Sequence, residues 1–266
     1  MEIYGYIATI LMGLSLGMIG GGGSILTVPI LVYFFSFNPV AAASNSLFIV
    51  GLTAFIGFLI SNKNKEVEFK TGLLFAIPSF LGVYITKSII LPMIPDPILS
   101  FYGLLISKSL LIMVFFAGLM LLASFSMIFK KKKQIIVKTL KPSENFFTIL
   151  KQGLIVGSVT GLVGAGGGFL IVPALVNLLG LSMRKAIGTS LMIIAANSLF
   201  GFLLFLQRGE PVNWYLLVTL LGIALVGLIA GSYYSKKVPE DKLKKGFGFF
   251  VLIMGTLIFI DQIFKM

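Results

Sequence analysis

Four predominantly apolar stretches constrain this chain more than anything else in it: Gly72–Ile90 with Lys87 near its end, Leu110–Phe129, Trp214–Gly231, and Phe247–Ile260 with its flanks. A helix of about 20 apolar residues crosses the roughly 30 Å hydrocarbon core of a bilayer. A soluble domain would interrupt such runs more often, because so much of its surface is wet. Only 11% of the 266 residues are charged, against about 25% in soluble domains. The expected fold is therefore all-α, a polytopic transmembrane helical bundle, and its first partner is the lipid bilayer.

The chain also repeats itself. Placed at an offset of 144 residues with no gap, GLSLGMIGGGGSILTVPIL from Gly13 falls on GSVTGLVGAGGGFLIVPAL from Gly157. Gly20 meets Gly164, Gly22 and Gly23 meet Gly166 and Gly167, and Pro29 meets Pro173. Further on, Ala42 meets Ala186, Ser46 meets Ser190 and Gly57 meets Gly201. Shared apolar composition cannot account for this, since the matched positions include Gly, Pro and Ser. The reading is a first transmembrane repeat over residues 1–129, a basic linker over 130–147 and a second repeat over 148–266. Each repeat is expected to hold a glycine-broken helix pair followed by three transmembrane helices. These fall at about Ala41–Ser61, Gly72–Ile90 and Leu110–Phe129, then Lys185–Leu206, Trp214–Tyr234 and Phe247–Phe264.

The basic residues orient the repeats. If the segment Ile3–Phe37 returns to the side on which it begins, each repeat crosses an odd number of times and the two are inverted. The connections at 63–70, 130–141, 184–185 and 236–245, with Lys151, then carry 17 of the 21 lysines and arginines on one side. If that segment crosses once, the split is 11 to 10 and the asymmetry disappears. Cytoplasmic loops carry the excess of lysine and arginine, so the first arrangement is expected. It makes a multi-pass cell-membrane protein with both termini extracytoplasmic and the linker in the cytoplasm. Charge alone leaves open whether the broken segments are re-entrant hairpins or short full crossings. The amino end has no basic stretch before its apolar run, so it reads as a retained segment and not a cleaved signal.

Composition also limits the chemistry. Cysteine and histidine are absent, which removes thiolate, imidazole and the usual zinc or haem chemistry. All nine acidic residues lie in connections or near the termini, so no carboxylate proton relay and no carboxylate pair for hydrolysis is visible in the apolar runs. The expectation is no enzyme, no cofactor and no metal. The net charge of +12 belongs to headgroup-facing loops and is not a nucleic-acid signal.

Backbone and neutral side chains remain. Gly20, Gly22 and Gly23 with Ser24, and Gly164, Gly166 and Gly167, each precede a short apolar helix. The first N–H groups of such helices have no intrahelical partner and carry the positive end of the helix dipole. Two such ends make an anion site without a buried cation. The competing reading is that the glycines only let helices pack closely; its weakness is that the cluster recurs at the equivalent place in both repeats. Asn45 and Ser46, their counterparts Thr189 and Ser190, and the deeper Asn197 add neutral donors. These twelve residues are the candidate substrate site, and the expected partner is a small anionic solute. A passive anion channel and a non-transporting scaffold are the alternatives, and the oligomeric state is not legible.

The segments GMIGGGGSILTVPIL and GLVGAGGGFLIVPAL, followed by AAASNSL and AIGTSL, resemble the two signature regions of the TauE/SafE family. The resemblance covers essentially the whole chain, including the duplication. It implies a membrane transporter exporting small anions such as sulfite, organosulfonates or related organic acids.

Overall fold

The computed structural model describes residues 2–95, 99–101, 104–106, 108–129, 142–163, 168–177, 179–207, 209 and 212–264. Helix α1 (Glu2–Ile19) stops at Gly20, whose φ of +75° a residue with a side chain rarely adopts, and α2 (Gly22–Phe35) begins two residues later. α2 packs back against α1: Tyr6 and Phe35 bring their rings to 5.4 Å, and a Cβ on Gly23 would lie 2.6 Å from the Met12 carbonyl oxygen. The segment thus returns to the end from which it started. At about 1.5 Å per residue, α1 is roughly 27 Å long and α2 roughly 21 Å.

Then follow α3 (Pro39–Lys63) and α4 (Phe69–Ile85), the latter extended by a π-helical turn, Thr86–Ile90, and a last turn, α5 (Leu91–Met93). A small antiparallel hairpin comes next, β1 (Leu99–Phe101) on β2 (Leu104–Ile106), with Leu99 opposite Ile106. It departs from the expected all-helical chain. Pro95 and Pro97 prevent α5 from continuing, and the β-hairpin fills the connection. α6 (Lys108–Phe129) closes the first repeat. The second holds α7 (Pro142–Val163), α8 (Gly168–Asn177), α9 (Met183–Leu206), α10 (Trp214–Ser235) and α11 (Glu240–Phe264). α7 already includes residues read above as the end of the linker, while Lys130–Lys141 lie outside the described residues. α11 starts seven residues before the expected Phe247, because the charged turn from Glu240 is helical, with Glu240 and Asp241 at its N-terminus where carboxylates suit the dipole.

Among the described residues, six stretches are long and apolar enough to cross a membrane: Glu2–Ile19, Ala41–Lys63, Phe69–Met93, Met183–Leu206, Trp214–Ser235 and Glu240–Asp261. Their packing repeats the duplication. α1 lies along α10 as α7 lies along α4, and both pairs are zipped by small residues. Cβ atoms on Gly13, Gly17, Gly227 and Gly231 would overlap backbone of the facing helix, as would one on Gly157 against the Ser79 carbonyl. Without a hydrophobic driving force between helices in lipid, such close backbone approach is a main source of association energy. The two pairs run parallel, Ile10 level with Gly227 and Leu14 with Gly231, Phe75 level with Gly153 and Ser79 with Gly157. Equivalent helices instead run antiparallel. On α3 and α9, Gly51 meets Leu199, Gly57 meets Leu191 and Ser61 meets Gly188; on α6 and α11, Ile128 meets Gly248 and Met120 meets Gly255.

The two ends of the α3–α9 crossing differ. At one, Phe48 packs on Phe202 and edge-on against Trp214, with centroids at 5.1 and 5.7 Å, and Leu47 and Phe205 complete a small apolar cluster apart from the main core. At the other, three basic connections converge. Lys236 Nζ donates to Asn64 Oδ1 at 3.0 Å, Arg184 Nη2 donates to the Lys236 carbonyl at 3.1 Å, and Lys185 pairs with Glu68.

Candidate functional site

The glycine break of the first repeat is wedged against the second. At the tip of the α1–α2 hairpin, a Cβ on Gly20 would lie 2.8 Å from both Ile187 Cα and Ser190 Oγ of α9. The Ser190 hydroxyl is shared between two acceptors, the Gly20 carbonyl at 3.1 Å and its own Ile187 carbonyl at 2.8 Å. Position 20 is therefore doubly bound to glycine, by its φ and by this approach.

One turn on, the start of α2 meets the start of α8. Ser24 is fully buried and donates to the Gly21 carbonyl at 2.9 Å; its oxygen lies 3.1 Å from where a Cβ on Gly168 would stand, and Gly21 Cα lies 2.9 Å from the same point. Gly168 opens α8. Gly164, Gly166 and Gly167 lie outside the described residues. Gly22 is the first residue of α2, whose N-cap Gly21 makes no side-chain cap, so the first-turn N–H groups are left without a capping side chain. Gly23 has a different task. Its bare face lies on α1, 2.6 Å from Met12 O and 2.7 Å from Leu16 Cβ by the same measure, so it holds the hairpin together.

The other expected site residues divide by what their polar atoms already do. Thr189 is buried and its oxygen accepts the Glu68 backbone N–H at 3.0 Å, fastening the start of α4 to α9. Ser46 is buried and donates to the Ala43 carbonyl at 2.8 Å. Asn45, 2% exposed, donates through Nδ2 to the Ala41 carbonyl at 2.8 Å and leaves Oδ1 without a partner. Asn197, 3% exposed, donates to Ser79 Oγ at 2.7 Å and likewise leaves its Oδ1 free. A buried acceptor without a partner costs about 1–3 kcal/mol, so each marks a place where a solute or water has something to satisfy.

Two residues were missed by reading the sequence. Ser79, inside the run Gly72–Ile90, joins α4 to α9 through Asn197; a hydroxyl in an apolar run across from a buried amide was the available signal. Ser198 is fully buried with an unpartnered hydroxyl, and nothing in its local sequence sets it apart. Gly20, Ser24, Ser190 and Gly168 are thus gathered where the start of α2 meets α8 and α9, while Asn45 and Asn197 lie on the flanking helices α3 and α9.

Comparison with known proteins gives the family. A "Probable membrane transporter protein" of Xylella fastidiosa (strain Temecula1 / ATCC 700964) is 27% identical over 97% of this chain and 96% of its own. The "Probable membrane transporter protein YunE" of Bacillus subtilis (strain 168) is 26% identical over 98% of this chain and 99% of its own. The archaeal "Probable membrane transporter protein MJ0441" of Methanocaldococcus jannaschii is 26% identical over 85% of this chain and 82% of its own. No solved structure matches the chain. The family model "Sulfite exporter TauE/SafE" matches residues 6–258, and the chain accordingly belongs to the TauE/SafE family: it is a membrane transporter of a small solute and not an enzyme.

Proposed function

We propose that this transporter exports a small anion, such as sulfite, an organosulfonate or a related organic acid, by alternating access between two inverted repeats. The observation that carries the reading is the meeting of Ser24 with Gly168, equivalent residues of the two helix breaks, in a fully buried position. Equivalent residues touch only on the axis that relates two repeats. The antiparallel course of α3 on α9 and of α6 on α11 supports an axis lying in the membrane plane, which is the inverted arrangement. The uncapped first-turn N–H groups at Gly22, Gly23 and Ser24, with their dipole end, suit a negative solute at that point. The corresponding groups of α8, following Gly164, Gly166 and Gly167, complete the site in this reading. Asn45, Ser46, Thr189, Ser190 and Asn197 surround it.

Inversion supplies the transport cycle. Two repeats of one sequence pattern can exchange conformations, and each exchange opens the shared site to the opposite side. The convergence of Asn64, Lys185 and Lys236 at one end supports a cytoplasmic face there, with both termini and the Phe48–Phe202–Trp214 cluster on the other. Export then runs on the anion's gradient and on the membrane potential, which favours exit of one negative charge by roughly 2.3 kcal/mol per 100 mV, negative inside.

The test is sulfite flux in proteoliposomes. Saturation and counterflow, in which external unlabelled sulfite accelerates exit of internal label, are expected of a carrier. A non-saturating current would make the protein a passive channel, and neither flux nor current would leave a scaffold.

A further inference from the structure

We propose that a cleft at the basic end of the bundle is an anion intake site, in which Arg184 and Lys236 draw the solute toward the paired helix breaks. The inference rests on the anion-carrier reading above and gives it an entrance. The cleft is narrow and takes its walls from both repeats, with Ser61 and Asn64 on one side and Ser235 and Lys236 on the other. Gly17 and Ile187 also line it. Gly17 is three residues before Gly20 on its helix, and Ile187 gives its carbonyl to Ser190, the residue that holds Gly20. The cleft therefore leads to the Gly20–Ser190 contact.

Its charges are available. Lys236 is anchored by Asn64 Oδ1 at 3.0 Å, and among the described residues it makes no ion pair. Among the described residues Arg184 has one carboxylate partner, Glu240, at 3.9 Å, the long limit of an ion pair, and its side chain is 38% exposed. Among the described lining residues Glu66 is the only carboxylate, against Arg184 and Lys236. Structural duty would leave the two repeats alike at these places, yet they differ. At the offset of 144, Ser61 corresponds to Phe205, Arg184 to Val40 and Asn64 to Arg208, so the two ends of the bundle are not lined alike. A cleft of net positive charge raises the local concentration of anions.

The experiment measures sulfite efflux from proteoliposomes against internal sulfite for wild type, Arg184→Gln, Lys236→Gln and Arg184→Lys. Each glutamine is expected to raise the half-saturating concentration by roughly 3- to 10-fold, with the maximal rate within about twofold, because removing a cation weakens the cleft's attraction for an anion at low salt. The wild-type advantage should shrink as an inert salt screens the cleft, and Arg184→Lys should restore it. A fall in maximal rate with unchanged half-saturation, or Arg184→Lys as impaired as Arg184→Gln, would make these residues structural and overturn the proposal. The same cations would suit a lipid phosphate, so the series is run in purely zwitterionic and in mixed anionic vesicles. An effect confined to the anionic vesicles would assign the site to lipid and also overturn it. A wild type without saturable flux would instead remove the carrier reading itself.

Discussion

Ser24 and Gly168 are separated by 144 residues, the offset of the internal repeat, and they touch: the Ser24 oxygen lies 3.1 Å from the place a Gly168 side chain would occupy. The same offset joins Thr53 to Asn197, and the contacts of Gly51 with Leu199 and Gly57 with Leu191 bring these two level on α3 and α9. Two independent helix pairs thus place equivalent residues opposite each other near the middle of the bundle. Between the repeats the polar bonding is unequal. Ser190 reaches Gly20 across the interface, while its counterpart Ser46 bonds within its own helix to Ala43.

That inequality predicts opposite effects of two matching substitutions. Ser190→Ala removes both hydroxyl bonds and should destabilise the described conformation by about 1 kcal/mol. A cysteine at Ser61, in the basic cleft, should then react several-fold more slowly with an impermeant thiol reagent from the cytoplasmic side. Ser46→Ala should leave that rate unchanged or raise it. Equal slowing by both would break the link between the unequal serine bonds and the described conformation.

A second prediction concerns packing. Gly157→Ala places a Cβ onto the Ser79 backbone and Gly13→Ala places one onto the Ala224 carbonyl. Each should lower the apparent Tm in detergent by several degrees, consistent with about 1–3 kcal/mol for overpacking. Gly222 faces open space inside α10, so Gly222→Ala should leave stability unchanged or raise it by up to about 1 kcal/mol. A Gly222→Ala protein as unstable as Gly157→Ala would mean that the glycine zippers do not hold α1 to α10 and α7 to α4.

Much of this architecture was legible in the sequence for a physical reason: bilayer thickness fixes helix length, and glycine and proline resist replacement where backbones meet. The runs at Ala41–Ser61 and Trp214–Tyr234 became α3 and α10 within a few residues. The return of Ile3–Phe37 to its starting end was read from charge placement alone, and the contact of Tyr6 with Phe35 agrees. The start of α11 at Glu240 was missed because its first two turns are charged and carry no apolar signal. At the site, side-chain chemistry was legible but not its direction. Sequence could nominate Gly23 and Thr189 as polar or open positions; it could not say that Gly23 faces α1 or that Thr189 holds the start of α4. Such assignments depend on which helix lies opposite, and that follows only from tertiary packing.

Topology is testable because the chain contains no cysteine. Single cysteines at Lys131 and Met266 should differ in intact cells: an impermeant thiol reagent should label position 266 and leave position 131 untouched until the membrane is permeabilised. The reverse pattern would put the basic end outside.

The most direct test of the account is voltage. No described transmembrane helix carries a centrally placed Asp or Glu, and the chain has no His, so the anion should carry its own charge across. Proteoliposomes loaded with sulfite at zero pH gradient should release it faster when a potassium diffusion potential makes the interior negative, by up to roughly the factor set by 2.3 kcal/mol per charge per 100 mV. Efflux that ignores voltage and follows an imposed proton gradient would contradict the account; the solute would then cross in a protonated form.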